Sequence, residues 1–167
     1  VTAAYVVMGV SGCGKSKIGQ GLAKAISARF FDGDDLHPAE NIAKMSRGEP
    51  LNDDDRGPWL DKVGEQLAMS SEPTVIACSA LKRIYRERIR DKAGKPVTFL
   101  YLEGTHEVLS ERMKHRDGHF MPAALLDSQL ATLEPPGESE DTVKASIDQT
   151  PDQVVADLLE GIRRKQQ

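Results

Sequence analysis

The chain has 167 residues, 39% hydrophobic and 29% charged, with a formal net charge of −4 at pH 7. That length suits one domain with a substantial core, and the negative balance excludes a general nucleic-acid binder, which needs a basic face to neutralise many phosphates. The two cysteines, Cys13 and Cys78, form neither a disulfide framework nor a zinc pattern, which suits a reducing compartment; with no apolar run near bilayer length and no signal-peptide pattern before the first strand, a soluble cytoplasmic protein without membrane partners is expected.

Along the chain, apolar runs alternate with helical patterns, which predicts an α/β fold built on a parallel sheet covered on both faces. The first strand is expected at Ala4–Met8. Directly after it comes Gly9-Val10-Ser11-Gly12-Cys13-Gly14-Lys15-Ser16, which fits GxxxxGK[ST] at every fixed position. In this strand-to-helix setting the pattern is that of a P-loop NTPase. Its glycines let backbone N–H groups wrap an anion, Lys15 can reach the β- and γ-phosphates, and the Ser16 hydroxyl can sit on Mg²⁺. The ligand expected is ATP or another nucleoside triphosphate. Lys17 should point to solvent from the helix that follows, whose apolar stripe is Ile18, Leu22, Ala25 and Ile26.

The second strand, Arg29–Asp32, runs into Phe31-Asp32-Gly33-Asp34-Asp35. Residues two apart on a strand point the same way, so Asp32 and Asp34 are expected to face the phosphate crevice together, with Gly33 letting the chain turn. Asp32 is assigned to the metal and Asp34 as the base that takes a proton from the acceptor. The competing reading is a solvated acidic turn. His37 to Ser71 then breaks the alternation as a polar, helical insertion punctuated by Pro38, Pro50 and Pro58, and is read as the acceptor-binding segment.

A third strand, Thr74–Cys78, leads through Ser79, expected near a helix N-cap, to Lys82 and Arg83. Either cation, or Arg56 from the insertion, could grip an acidic acceptor; a surface ion pair is the alternative for each. The fourth strand, Val97–Glu103, precedes a helix from Thr105 to His115. Arg112 on it and Arg116 one turn beyond share a face and suit cations that act on the phosphates when the site closes. The segment from Arg116 to Glu140 is read as a lid, with Gly118 as its hinge and His119 either touching substrate or packing within the lid. A fifth strand, Thr142–Ile147, and a last helix opened by Thr150-Pro151-Asp152-Gln153 complete the chain. The basic tract Arg163-Arg164-Lys165 complements that helix's dipole.

Taken with the phosphate loop, the segments Phe31 to Pro38, Pro50 to Arg56, Ala77 to Arg83, Gly118 to Pro122 and Thr132 to Pro136 resemble the motif set of the gluconokinase family, in order over nearly the whole chain. The resemblance implies a nucleoside-monophosphate-kinase-like fold, a five-stranded parallel sheet flanked by helices with an acceptor-binding insertion and a lid. It further implies transfer of the ATP γ-phosphate to the 6-hydroxyl of D-gluconate, a Mg²⁺ requirement and a homodimer. It puts adenine near Arg112 and the turn Asp148-Gln149-Thr150-Pro151.

Gluconate is a flexible polyhydroxy carboxylate, and its site needs a cation at one end, hydroxyl partners along the chain and a base at the other. Arg56 or Arg83, then His37 and Asn52, then Asp34 supply that order, with Lys82 a further candidate. Two rivals stand beside this reading. Another small-molecule P-loop kinase such as shikimate kinase would share the fold, although such enzymes usually carry a glycine cluster where this chain has Cys78-Ser79-Ala80-Leu81. A protein that binds ATP without using it would leave Asp34 and the arginines without a task.

Overall fold

Strands and helices alternate from end to end. The computed structural model describes residues 2–114 and 123–166, and its elements in chain order are β1 (Ala4–Met8), α1 (Lys15–Ala25), β2 (Arg29–Asp32), a 3₁₀ turn (Gly33–Leu36), α2 (Ala39–Ser46), α3 (Asp53–Met69), β3 (Thr74–Ala77), α4 (Arg83–Ala93), β4 (Thr98–Glu103), α5 (His106–Lys114), α6 (Ala123–Thr132), β5 (Thr142–Ser146) and α7 (Pro151–Lys165). The five expected strands are all present, with ends that agree to within a residue, inside the ordinary ambiguity of such boundaries.

The strands pair in parallel in the order β2-β3-β1-β4-β5. Parallel neighbours need crossover helices, and these cover both faces. The pleat of β1 divides its side chains between two cores. Tyr5 and Val7 pack with Leu22 of α1 and Leu158 of α7, whereas Ala4, Val6 and Met8 pack with Trp59, Leu60, Val63 and Leu67 of α3 and Ile89 of α4. Burial of each large apolar side chain contributes about 1.5–3 kcal/mol. The edge strand β5 alternates instead, with Val143 and Ala145 inward and Lys144 and Ser146 exposed.

Two sequence expectations need correction. Pro58 does not punctuate the insertion but lies inside α3. It costs one backbone hydrogen bond near the helix start, and the buried stripe Trp59, Leu60, Val63 and Leu67 outweighs that loss. Ser79 is not the cap of α4, which starts three residues later with Lys82 in the cap position. The extra residues between include Ala80 with φ of 44°, a conformation that lets the loop turn before the helix begins.

Candidate active site

The C-terminal ends of β1, β2 and β3 carry the phosphate loop, the 3₁₀ turn and the Cys78–Lys82 loop, all on one edge of the sheet. Because β1 is central and its chain continues to β2 on the far side of β3, this edge is where an open α/β sheet forms a crevice. Gly9, Gly12 and Gly14 adopt φ of 150°, 85° and 88°, a region that favours glycine. Helix α1 opens at Lys15 behind Gly14 with no side-chain cap, so its first N–H groups are available to an anion. The Lys15 ammonium folds back to donate to the Val10 carbonyl at 3.2 Å, while Lys17 is exposed and Cys13 is buried.

The Ser16 hydroxyl donates to Asp32 Oδ2 at 2.9 Å, and Asp32 Oδ1 accepts the Asp34 N–H at 3.0 Å. These neighbouring hydroxyl and carboxylate oxygens fit a Mg²⁺ ion, which favours one or two protein oxygens together with phosphate. Asp34 lies on the 3₁₀ turn and not on the strand. What brings it beside Asp32 is the cap that Asp32 provides, in place of the strand alternation expected. Gly33 is required by close approach, since a Cβ there would lie 2.4 Å from the Ala77 carbonyl oxygen. From α3, the Trp59 indole N–H donates to the Gly33 carbonyl at 2.8 Å.

His37 stacks on Trp59 with ring centroids 4.1 Å apart and planes 15° from parallel. Burial lowers its pKa below the usual histidine value; the Asp34 carboxylate raises it in opposition, and Arg56 lowers it further. The Asn41 amide nitrogen lies 3.2 Å from His37 Nδ1 and donates to the Asp55 carbonyl at 2.9 Å. That network assigns a neutral imidazole with its proton on Nε2.

Arg56 and Lys82 converge on one cluster. Arg56 Nη1 donates to the Tyr85 hydroxyl at 3.3 Å, the Tyr85 hydroxyl donates to Asp53, and Lys82 Nζ lies 3.4 Å from Asp53 Oδ2. Both cations also sit 5.6 Å from the Tyr85 ring centroid. The Tyr85 bond, with Lys82 and Arg56, holds the Asp53 carboxyl below the usual carboxylate range. Arg83 does not join them, since its guanidinium donates to Glu87 at 3.0 Å on the outer face of α4. The Asn52 side-chain oxygen is taken up by capping α3 in a capping box with Asp55, which leaves only its amide N–H groups for an acceptor.

Arg112 donates to the carbonyls of Ile147 and Gln149, which ties α5 to the turn before α7. Arg116, His119 and Gly118, the expected hinge, lie outside the described residues, so of the segment 116–140 the structure describes only 123–140.

Three participants escaped the sequence reading. Gln129 of α6 clamps Ser11, its Oε1 accepting the Ser11 N–H at 2.6 Å and its Nε2 donating to the Ser11 hydroxyl at 2.9 Å. A signal for it existed, a polar residue in the helical stripe Leu126, Gln129, Leu130, Leu133. Tyr85 carried none. Arg86, fully buried on α4, donates twice to Glu140 and once each to the carbonyls of Ala80, Leu81 and Glu134, so all five guanidinium N–H groups are used. The Glu134 N–H in turn donates to the Leu81 carbonyl at 2.8 Å, and the Glu134 carboxylate accepts the Arg83 N–H at 3.0 Å.

A loop built to cup phosphates beside a second, cation-lined half-site is the layout of a P-loop kinase acting on a small molecule, and that is the class the fold and site define. The family described as "Shikimate kinase" matches residues 11–163. Gluconokinase of Gluconobacter oxydans (strain 621H) is 46% identical over 158 residues, covering 92% of this chain and 88% of the relative. The crystal structure of a gluconokinase from Sinorhizobium meliloti 1021 superposes with a TM-score of 0.91 at 51% identity, covering 98% of this chain and 93% of the other. A shikimate kinase from Aquifex aeolicus vf5 superposes with a TM-score of 0.63 at 14% identity, covering 97% of each chain, a likeness of fold alone. The chain belongs to the gluconokinase family. Among the described residues no helix is long and apolar enough to cross a membrane.

Proposed function

We propose that the protein transfers the γ-phosphoryl group of ATP to the 6-hydroxyl of D-gluconate, giving 6-phospho-D-gluconate and ADP. The observation that carries this reading is the pair Arg56 and Lys82 already gathered around a carboxylate, that of Asp53. A sugar acid needs such a cation pair at one end, within reach of a phosphate loop at the other. The membership of the chain among gluconokinases supports the same acceptor.

In this reading the phosphate loop amides and Lys15 hold the β- and γ-phosphates, and Arg112 together with the turn Asp148-Gln149-Thr150-Pro151 flanks adenine. Asp34 accepts the proton of the attacking hydroxyl, and neutral His37 donates from Nε2 to an acceptor hydroxyl. Mg²⁺ held by Ser16 and Asp32 would neutralise charge that spreads over the phosphoryl oxygens. The segment 116–140 excludes water from the transfer, with Arg116 as a closing cation and His119 as a substrate contact. A homodimer, implied by the resemblance, and a cytoplasmic location, which the cysteine usage suits, belong to this reading; sedimentation equilibrium tests the first.

A coupled assay of ADP release with gluconate and shikimate in parallel tests the whole. Turnover of gluconate is expected, and turnover of shikimate alone overturns the acceptor. No turnover of either, with ATP still bound, would favour a nucleotide-binding protein without transfer.

A further inference from the structure

We propose that Gln129 reads the terminal phosphate of the bound nucleotide, and so separates ATP from ADP. The inference rests on the reading of ATP as the phosphoryl donor. Its basis is a carboxamide seated where a phosphate oxygen belongs: Gln129 Oε1 accepts the Ser11 N–H at 2.6 Å. Ser11 is the third residue of the loop, next to Val10, whose carbonyl receives the Lys15 ammonium at 3.2 Å. The lysine of such a loop serves the β- and γ-phosphates. Ser11 therefore marks the end of the loop where the terminal phosphate lies, away from the α-phosphate.

Gln129 is held there with some force. Leu126, buried in the core that includes Val10 and Cys13, and the partly buried Leu130 and Leu133 fix the inner face of α6. A polar side chain on such a face is costly unless it is bonded, and both ends of this amide are bonded to Ser11. A γ-phosphate oxygen competes with the Gln129 carbonyl for the Ser11 N–H. The amide is neutral and carries two N–H donors at its other end, so it can turn and give one to the same phosphate. ADP, which lacks that phosphate, leaves the Ser11 clamp as it is.

Gln129→Glu is the decisive variant, because it keeps the size and the acceptor while replacing the donor with a negative charge. Calorimetry with ADP and with a nonhydrolysable ATP analogue gives the ratio of the two affinities. The ratio is expected to fall about ten-fold in favour of ADP, the loss typical of one hydrogen bond to a charged group. Gluconate KM should change little. A ratio unaltered in Gln129→Glu overturns the proposal, as does an equal loss of both nucleotides, which is what a purely structural clamp would give. Wild-type protein that binds ADP but no ATP analogue, or neither, overturns the ATP reading itself and this inference with it.

Discussion

The indole N–H of Trp59 donates to the carbonyl oxygen of Gly33 at 2.8 Å, joining the middle of the insertion to the turn that carries Asp34. Trp59→Phe keeps a ring to stack on His37 but removes the indole donor to that buried carbonyl. Stability should fall by about 0.5–1.5 kcal/mol in urea titrations, the typical net contribution of one hydrogen bond. Because the phosphate loop is untouched, kcat should drop with little change in ATP KM; a variant with normal kcat would show that the turn holds Asp34 without help from α3.

Asp34→Asn removes the proposed proton acceptor and changes little else in shape. A fall in kcat of about two to four orders of magnitude is expected, the range typical of a lost general base. ATP affinity measured by calorimetry should stay near the wild-type value. Normal turnover would take the role of base away from this residue.

Arg56 and Arg83 face different surroundings, and their alanine variants should differ accordingly. Arg56→Ala is expected to raise gluconate KM about ten-fold or more, through loss of a charged hydrogen-bond donor. Arg83→Ala should stay within about two-fold, since Arg83 pairs with Glu87 outside the crevice. Steady-state kinetics at saturating ATP decides between them, and the reverse order would assign the carboxylate to Arg83.

The buried Glu140 sets an acid limit. Burial by itself would raise its carboxyl, yet the hydrogen bonds from Arg86, with Arg90 and the Gly137 N–H, bring it from 4.5 down to about 2. A depressed carboxyl stabilises the fold above its unfolded pKa, and that contribution is lost as pH falls from 4.5 towards about 2. The difference corresponds to about 3 kcal/mol. His37 acts earlier: its lowered pKa means that the unfolded chain takes up the proton first as pH falls through about 6.5, which weakens the fold. Urea midpoints measured from pH 7 to pH 2.5 should decline in these two windows, and Glu140→Gln should flatten the lower one while destabilising the protein at pH 7 by about 3–5 kcal/mol.

The parts that were legible in the chain are those encoded locally. Each strand is a short apolar run with its own punctuation, and the phosphate loop is a spacing within eight residues, Gly9 to Ser16. Longer-range matters were not. Gln129 meets Ser11 across 118 residues and Arg86 meets Glu140 across 54, distances over which no periodicity carries information. Arg83 lies apart from Lys82 for a smaller reason: with the cap at Lys82 and not at Ser79, the start of α4 is rotated, and Arg83 pairs with Glu87 while Lys82 stays with Tyr85. Asp34 shows the converse, a residue placed beside Asp32 by a cap where strand geometry had been the argument.

Arg86 fastens the Ala80–Leu81 loop, the Glu134 carbonyl and Glu140 at a single interior point. Helix α6, just before Glu134, is thus moored beside the loop that bears Lys82, and through Gln129 it also grips Ser11 of the phosphate loop. The two loops that border the crevice share one interior tie, and a variant that frees Arg86 should loosen both.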